Sequence, residues 1–371
     1  MQSHKSKKIT IGVFTYDFFP IFGGQGRHLY EIYKQNQLHK QVNMYIFSPN
    51  RNSLENHINI YPETKKSKFK NIEYSLKLNN NFERIIKKYD LDIVHIHGGP
   101  GGLFLFNKLT IPCIYTVHHT YWQQVNYIKE QVWKKFFYLL EKRSYKFADK
   151  IICVSSDTQK ILIDRYHLPY EKTLVIPNGI DLQLFNRKRS ETDEDKNILY
   201  VGRVDKRKGV DFLLRAMTHV NNVDPEITLY VVGEGKDRKR LQEYSESNNL
   251  PVIFLGSLQD SQLQAIYEKV SAQIVPSIFE GFGISVLEGM AKGVPIIATN
   301  VDGIRTIVDH NHTGIMVPYG DERKMAETIT TLLNNTLLCK DLIYNAHQEL
   351  YKYDWNNIYK RTTDLYENIV F

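Results

Sequence analysis

Glu280 and Glu288 stand with seven residues between them, on either side of Gly283, in a stretch that reads AQIVPSIFEGFGISVLEGMAKGVPIIAT over residues 272–299. The pattern is an apolar strand, a loop with Gly281 and Gly283, a helix from Ile284 and a second apolar strand. Glycines directly before a helix let the backbone approach an anion, which then meets free N–H groups and the positive end of the helix dipole. Carboxylates beside such a site repel phosphate, so Glu280 and Glu288 suit the hydroxyls of a sugar better. Upstream, Arg203 and Lys208 bracket the turn of GRVDKRKGVDFLLRA. A forked guanidinium and a compact ammonium together suit a diphosphate better than either alone. On residue types alone, a tight turn, two solvated glutamates and a solvated basic loop account for the same pattern.

Histidines form the second candidate set. His118 directly follows the apolar run 111–117, and ligands of parallel sheets bind beyond the carboxyl ends of strands. His95 and His97 alternate along DIVHIHGGPGG and can share one face of a strand. No cysteine or carboxylate cluster completes a metal site around them, so strand-end packing is the reading. The acidic triplets Asp90-Leu91-Asp92 and Asp193-Glu194-Asp195 fall before a strand and in a charged linker, not in loops that follow a strand into a cleft. No bound metal is expected.

The elements that must position these residues recur along the chain. Apolar runs at 9–14, 42–47, 92–96, 111–117 and 150–154, then at 197–201, 227–232 and 252–255, are separated by segments long enough for helices. This alternation predicts parallel sheets covered by helices on both faces. Gly24-Gln25-Gly26 and Gly233-Glu234-Gly235 each lack the third glycine of a dinucleotide fingerprint, which argues against an oxidoreductase. At 371 residues the chain exceeds one core. The turn VIPNGID and the charged stretch 186–196 divide it into domains at 1–186 and 197–354.

Hydrophobic residues make up 42% and charged residues 24%, ordinary for a globular protein, while the net charge of +7 favours an anionic partner. The three cysteines are scattered, which predicts buried thiols and a reducing compartment. No apolar run approaches the ~18 to 20 residues of a membrane span, so a cytoplasmic location is expected. Over 132–148, Phe136, Leu139 and Leu140 lie among Lys134, Lys135, Lys142, Arg143 and Lys146. Such a helix packs on a core or docks on anionic lipid.

The ordered string P-S-x-x-E-G-F-G-x-x-x-L-E-G-M-A-x-G-x-P around Glu280 and Glu288 resembles the signature of the retaining glycosyltransferases of family 4. The resemblance implies an α/β protein of the GT-B fold, two Rossmann-like doubly wound parallel-sheet domains facing across a cleft, with residues 355–371 crossing back to the first. It implies that Glu280 lies near the donor sugar, that Glu288 holds the ribose, and that the backbone of Phe282, Gly283 and Ile284 faces the diphosphate and sugar. Arg203 and Lys208 match the family's G-R-x-x-x-x-K-G, which binds the diphosphate. Gly23 and Gly24 match a cleft-facing glycine pair, and His118 a histidine that contacts the donor sugar. His119, Asp302 and Thr306 depart from the family pattern.

By the same resemblance the protein transfers a sugar, with retention, from a nucleotide diphosphate sugar, expected to be a UDP-sugar, to a hydroxyl of a glycan, lipid-linked or protein acceptor. Bacterial surface glycan, glycolipid or glycoprotein synthesis is the implied setting. His118, Glu280, Arg203 and Lys208 carry the chemistry, and no cofactor, metal or nucleic acid takes part. The rival reading is a catalytically inactive partner subunit of another transferase.

Overall fold

Short runs of branched and aromatic residues form strands buried on both faces, and the segments between them supply covering helices. The computed structural model describes residues 8–18, 23–50, 53–61, 70–100, 102–128, 134–182 and 196–371. The chain divides into two units, Met1–Gly179 with Trp355–Phe371, and Ile180–Asp354.

The first unit opens with β1 (Thr10–Phe14), α1 (Gly24–His39), β2 (Asn43–Ser48) and β3 (His57–Asn59). It continues through α2 (Lys70–Asn79), α3 (Phe82–Tyr89), β4 (Ile93–Gly98) and β5 (Cys113–Val117) to α4 (Tyr121–Tyr127), α5 (Lys135–Phe147), β6 (Lys150–Cys153), α6 (Ser156–Asp164) and β7 (Thr173–Val175). Among the described residues these strands pair in parallel in the order β3-β2-β1-β4-β5-β6-β7. The order reverses between β1 and β4.

The second unit holds β8 (Ile198–Val201), α7 (Val210–Val223), β9 (Leu229–Val232), α8 (Arg238–Ser247), β10 (Val252–Gly256) and α9 (Asp260–Tyr267). Then come β11 (Ala272–Val275), α10 (Ile284–Ala291), β12 (Ile296–Thr299), β13 (Ile315–Val317), α11 (Glu322–Leu333) and α12 (Thr336–Glu349). Its parallel order is β10-β9-β8-β11-β12-β13, with the reversal between β8 and β11. Val210, Phe212, Leu213, Met217, Ile274 and Ile329 belong to its main core and are fully buried.

The last helix, α13 (Trp355–Val370), belongs to the first unit and packs on α1. Tyr359 donates to Asn36 Oδ1 at 2.7 Å, Thr363 to Gln41 Oε1 at 2.9 Å, and the ring nitrogen His39 Nε2 meets Asn356 Oδ1 at 3.0 Å.

Three strands lie outside the apolar runs of the sequence. β3, β7 and β13 are three residues long and partly exposed, so they carry no run long enough to read. The basic helix also turns a different face inward than its apolar residues suggest. In α5 the buried residues are Phe137, Glu141, Ser144 and Tyr145, while Phe136 and Leu139 are 58% and 61% exposed. Phe137 stacks on Tyr121 with ring centres 5.1 Å apart, and Glu141 accepts from Tyr121 N and the Tyr145 hydroxyl at 3.0 and 2.9 Å and from the Tyr166 hydroxyl. This polar network draws the inward face one residue away from the expected phase.

Cys113 and Cys153 are buried free thiols and Cys339 is a half-buried one. No helix of the described residues is long and apolar enough to cross a membrane. Residues 186–195 of the expected linker, with the triplet Asp193-Glu194-Asp195, lie outside the described residues, as do residues 132–133 at the start of the basic segment.

Candidate active site

The loops that follow β8 and β11 leave the second sheet at its order reversal, where open α/β sheets bind ligands. They run backbone against backbone. Gly209 has φ +68°, and a Cβ there would stand 1.9 Å from Pro276 O. Ile278 N donates to Arg207 O at 2.8 Å across the same contact. The 3-10 turn Lys206–Lys208 that precedes Gly209 aims two of its cations inward.

Those cations close on one carboxylate. Lys208 Nζ donates to Glu280 Oε1 at 2.6 Å, and Ser277 Oγ donates to the same oxygen at 2.7 Å. Arg207 NH1 donates to Glu280 Oε2 at 2.9 Å and to Phe279 O at 3.2 Å, with its guanidinium 5.4 Å from the Phe279 ring centre. The side chains of Glu280, Arg207 and Lys208 are only 6%, 14% and 16% exposed. Burial pushes the Glu280 carboxyl up, but the Lys208 and Arg207 charges overcome it and hold the group well below the usual carboxylate range. Burial pulls the Lys208 ammonium down, and Glu280 returns only part of that shift.

Immediately after Glu280 the chain turns into α10. Gly283 caps the helix at φ +103°, a left-handed conformation natural to glycine, and a Cβ there would press to 3.0 Å from Ile304 Cδ1. The first backbone N–H groups of a helix lack intrahelical partners, so the segment Phe282, Gly283, Ile284 offers an anion-binding end. Phe282 is buried, its ring centre 5.8 Å from that of Tyr353. Glu288 follows in the second turn of α10 and is half-buried.

Arg203 stands apart from Glu280. Its side chain is 61% exposed and pairs at 3.2 Å with Asp205, which is 18% exposed. Asp302, a departure from the family pattern, enters the site through its backbone: its carbonyl accepts from Glu280 N at 3.1 Å. Arg207 and Ser277 were not singled out in the sequence. The only sign of Arg207 was the run Lys206-Arg207-Lys208, in which the turn, and not the residue types, decides which cation faces inward.

The first unit holds Gly23, Gly24 and His118. Gly23 and Gly24 start α1, and Arg27 N donates to Gly23 O at 3.0 Å. His118 is buried at the end of β5, in a histidine cluster wider than the sequence indicated. His97 Nδ1 meets His118 Nε2 at 3.0 Å, the His95 and His97 rings stack 5.0 Å apart, and His28 lies 5.1 Å from His118. His28 Nδ1 meets Asn178 Oδ1 at 2.7 Å, and His95 meets the Tyr366 and Thr116 hydroxyls at 2.6 and 2.7 Å. Burial lowers all four imidazoles, His28 to about 4 against a raising hydrogen bond from Asn178, and His95 to about 3 with help from His28. His97 and His118 fall well below the ordinary value by burial and by the neighbouring imidazoles. Among the described residues no group of three or more His, Cys, Asp and Glu is arranged to hold a metal ion.

Comparison with known families accounts for both halves of the chain. The pattern of Glycosyl transferases group 1 matches residues 183–349, and that of Glycosyltransferase Family 4 matches residues 22–184. This chain belongs to the family 4, group 1 glycosyltransferases. It is therefore a sugar-transferring enzyme, and its two parallel-sheet units are those of the GT-B fold. An uncharacterized glycosyltransferase of Methanocaldococcus jannaschii is 29% identical over 361 residues, 95% of this chain and 96% of the relative. The UDP-Gal:alpha-D-GlcNAc-diphosphoundecaprenol alpha-1,3-galactosyltransferase of Escherichia coli is 25% identical over 312 residues, 77% and 78% of the two chains. The sucrose-phosphate synthase structure from Thermosynechococcus elongatus superposes with a TM-score of 0.84 at 23% identity, covering 97% of this glycosyltransferase and 99% of that chain.

The histidine cluster makes the first unit of this glycosyltransferase acid-sensitive. A buried histidine whose pKa is lowered contributes stability that is present above the unfolded value near 6.5 and lost as pH falls towards the folded value. At pH 5 each such imidazole costs about 2 kcal/mol. Glu141 works in the opposite sense: burial raises its carboxyl to about 7 against the hydrogen bonds of Tyr166, Tyr121 and Tyr145. Its contribution is full below about 4.5 and lost as pH rises through 7, so it returns about 2 kcal/mol on acidification, less than four histidines cost. Trp122 and Trp355 belong to the first unit, so their fluorescence reports on it. The fluorescence melting temperature is expected to fall by at least about 10 °C from pH 7 to pH 5. A flat or rising profile would contradict neutral histidines.

Proposed function

We propose that this glycosyltransferase moves a sugar from a UDP-sugar to a hydroxyl of a lipid-linked glycan or glycolipid, with retention at the anomeric carbon, from the inner face of a membrane. The observation that carries the reading is the buried Glu280, held by Lys208, Arg207 and Ser277 directly ahead of the α10 N-terminus. The name of the Escherichia coli relative supports the choice of a UDP-sugar and a lipid-linked acceptor.

In this reading Arg203 gives up its contact with Asp205, and Arg203, Lys208 and the backbone at Phe282, Gly283 and Ile284 bind the diphosphate. They stabilise the charge that develops as the bond from the anomeric carbon to the diphosphate oxygen breaks. Glu280 orients the sugar and Glu288 accepts from the ribose hydroxyls. Gly23, Gly24 and His118 of the first unit are assigned to the donor by the family likeness. A carboxylate held below its ordinary pKa is a weak base, so Glu280 does not deprotonate the acceptor. The acceptor hydroxyl forms the new bond while its proton passes to an oxygen of the leaving diphosphate, on the same face, and configuration is retained. Since cations of the protein balance the leaving charge, no divalent metal is required. Transfer is expected to persist in excess EDTA, and loss that manganese restores would overturn the point.

The two glutamates separate by kinetics. Glu280→Gln is expected to lower turnover at saturating donor, because geometry and charge at the sugar change as the bond breaks. Glu288→Gln is expected to raise the donor KM, because ribose contacts change little during the reaction. Each lost hydrogen bond to a charged group amounts to about 1.5 to 3 kcal/mol, or about 10- to 150-fold. If nucleotide release from the donor by both variants stays within about twofold of the parent, the site is assigned wrongly.

The exposed face of α5 sets Phe136 and Leu139 beside Lys135, Arg143 and Lys146, apolar and cationic groups together, as an anionic lipid surface demands. Cosedimentation with phosphatidylglycerol vesicles at low salt is expected, and Phe136→Ser with Leu139→Ser should reduce it at least about tenfold. Absence of binding at low salt, or binding that the double change leaves intact, would remove this surface from the reading.

A further inference from the structure

The Glu280 site holds one more cation than the carboxylate needs. Lys208 sits on Oε1 and Arg207 on Oε2, at 2.6 and 2.9 Å. In the donor reading above, on which this inference rests, Lys208 turns towards the diphosphate. With no other cation present, Ser277 alone would remain on that carboxylate, which is 6% exposed. A buried carboxylate stripped of its charged partner takes up a proton and loses the orientation the ion pair gave it.

We propose that Arg207 is a positioning residue of the transfer reaction: it keeps Glu280 ionised and fixed when Lys208 leaves the carboxylate for the donor diphosphate. Arg207 has anchors besides Glu280. NH1 also donates to Phe279 O at 3.2 Å, the guanidinium lies over the Phe279 ring, and its own carbonyl accepts from Ile278 N at 2.8 Å. The Lys208 ammonium ends a flexible four-carbon stem and can swing without moving the backbone, whereas the planar fork of Arg207 is fixed in place. Lys206 is exposed and faces away, so the two inward residues of the turn divide the work. Lys208 is the exchangeable cation and Arg207 the resident one.

The exchange predicts a proton count. UDP-glucose, GDP-glucose and ADP-glucose are titrated into the protein near pH 7 by calorimetry in buffers of different ionisation enthalpy, which gives the protons taken up on binding without an acceptor. The unaltered protein is expected to take up close to none, because Arg207 keeps Glu280 charged. Arg207→Gln is expected to approach one proton per donor bound, with affinity falling by up to about tenfold per pH unit between pH 6 and 8. Arg207→Lys, which keeps the charge, and the double variant Arg207→Gln with Glu280→Gln, which removes the carboxylate, should both return to near zero. A merely structural role for Arg207 would lower stability and leave the count unmoved, so an unchanged count in Arg207→Gln overturns the proposal. Uptake of a proton by the unaltered protein overturns it as well, and decides the matter even if Arg207→Gln does not fold. Binding of none of the three nucleotide sugars would sink the donor reading itself and this inference with it. Binding with an unchanged count sinks only the role of Arg207.

Discussion

A carboxylate inside a protein survives as an anion only if cations accompany it, and the second unit is built around that constraint at Glu280. Removing one member of a buried ion pair costs about 3 to 5 kcal/mol, more than the exposed pairs elsewhere in the unit can contribute. The loops after β8 and β11 must therefore meet, since one brings the cations and the other the acid. Gly209 makes the meeting possible, because any side chain there would occupy the space of Pro276 O. The sheet order follows the same logic. β8 and β11, whose loops meet, are the neighbours that flank the reversal, where open α/β sheets bind ligands.

The excess charge of this arrangement is part of its chemistry. Arg207 and Lys208 carry two positive charges against one on Glu280, so the cluster keeps one net positive charge. Glu280 directly precedes the loop into α10, whose opening N–H groups also favour an anion. Arg203 adds an exposed guanidinium that pairs with Asp205 at 3.2 Å. In physical terms the loop is prepared for an anion before one binds, which is what electrostatic stabilisation of a leaving group requires.

The sequence made some of this legible and hid the rest for identifiable reasons. The strand, glycine loop and helix from β11 through α10 were readable because each signal is local: an apolar run, glycines, then helical spacing. Lys208 and Glu280 both stood out in the sequence, but not as partners of each other, because no local rule joins residues from two loops. Arg207 was hidden in a run of three cations whose directions depend on a 3-10 turn. Asp302 looked like a departure, yet the group it supplies is a backbone carbonyl, which any residue provides. In α5 the apolar face marked by Phe136 and Leu139 is not the buried one, because buried tyrosines and a helix N-terminus satisfy Glu141 on the inward face.

Both units bury polar groups, and the partners decide which of them keep a charge: even in the first unit Glu31 is buried as an ion between Arg27 and Lys34, at 3.0 Å from each. In the first, His28, His95, His97 and His118 are gathered so closely that protonating one raises the cost of protonating the next. A neutral imidazole pair shares one proton through one hydrogen bond, so the cluster is satisfied only without charge. In the second, ions are buried with their counterions and keep their charge. Neither kind of cluster can be converted into the other by a single substitution without leaving a buried group unsatisfied.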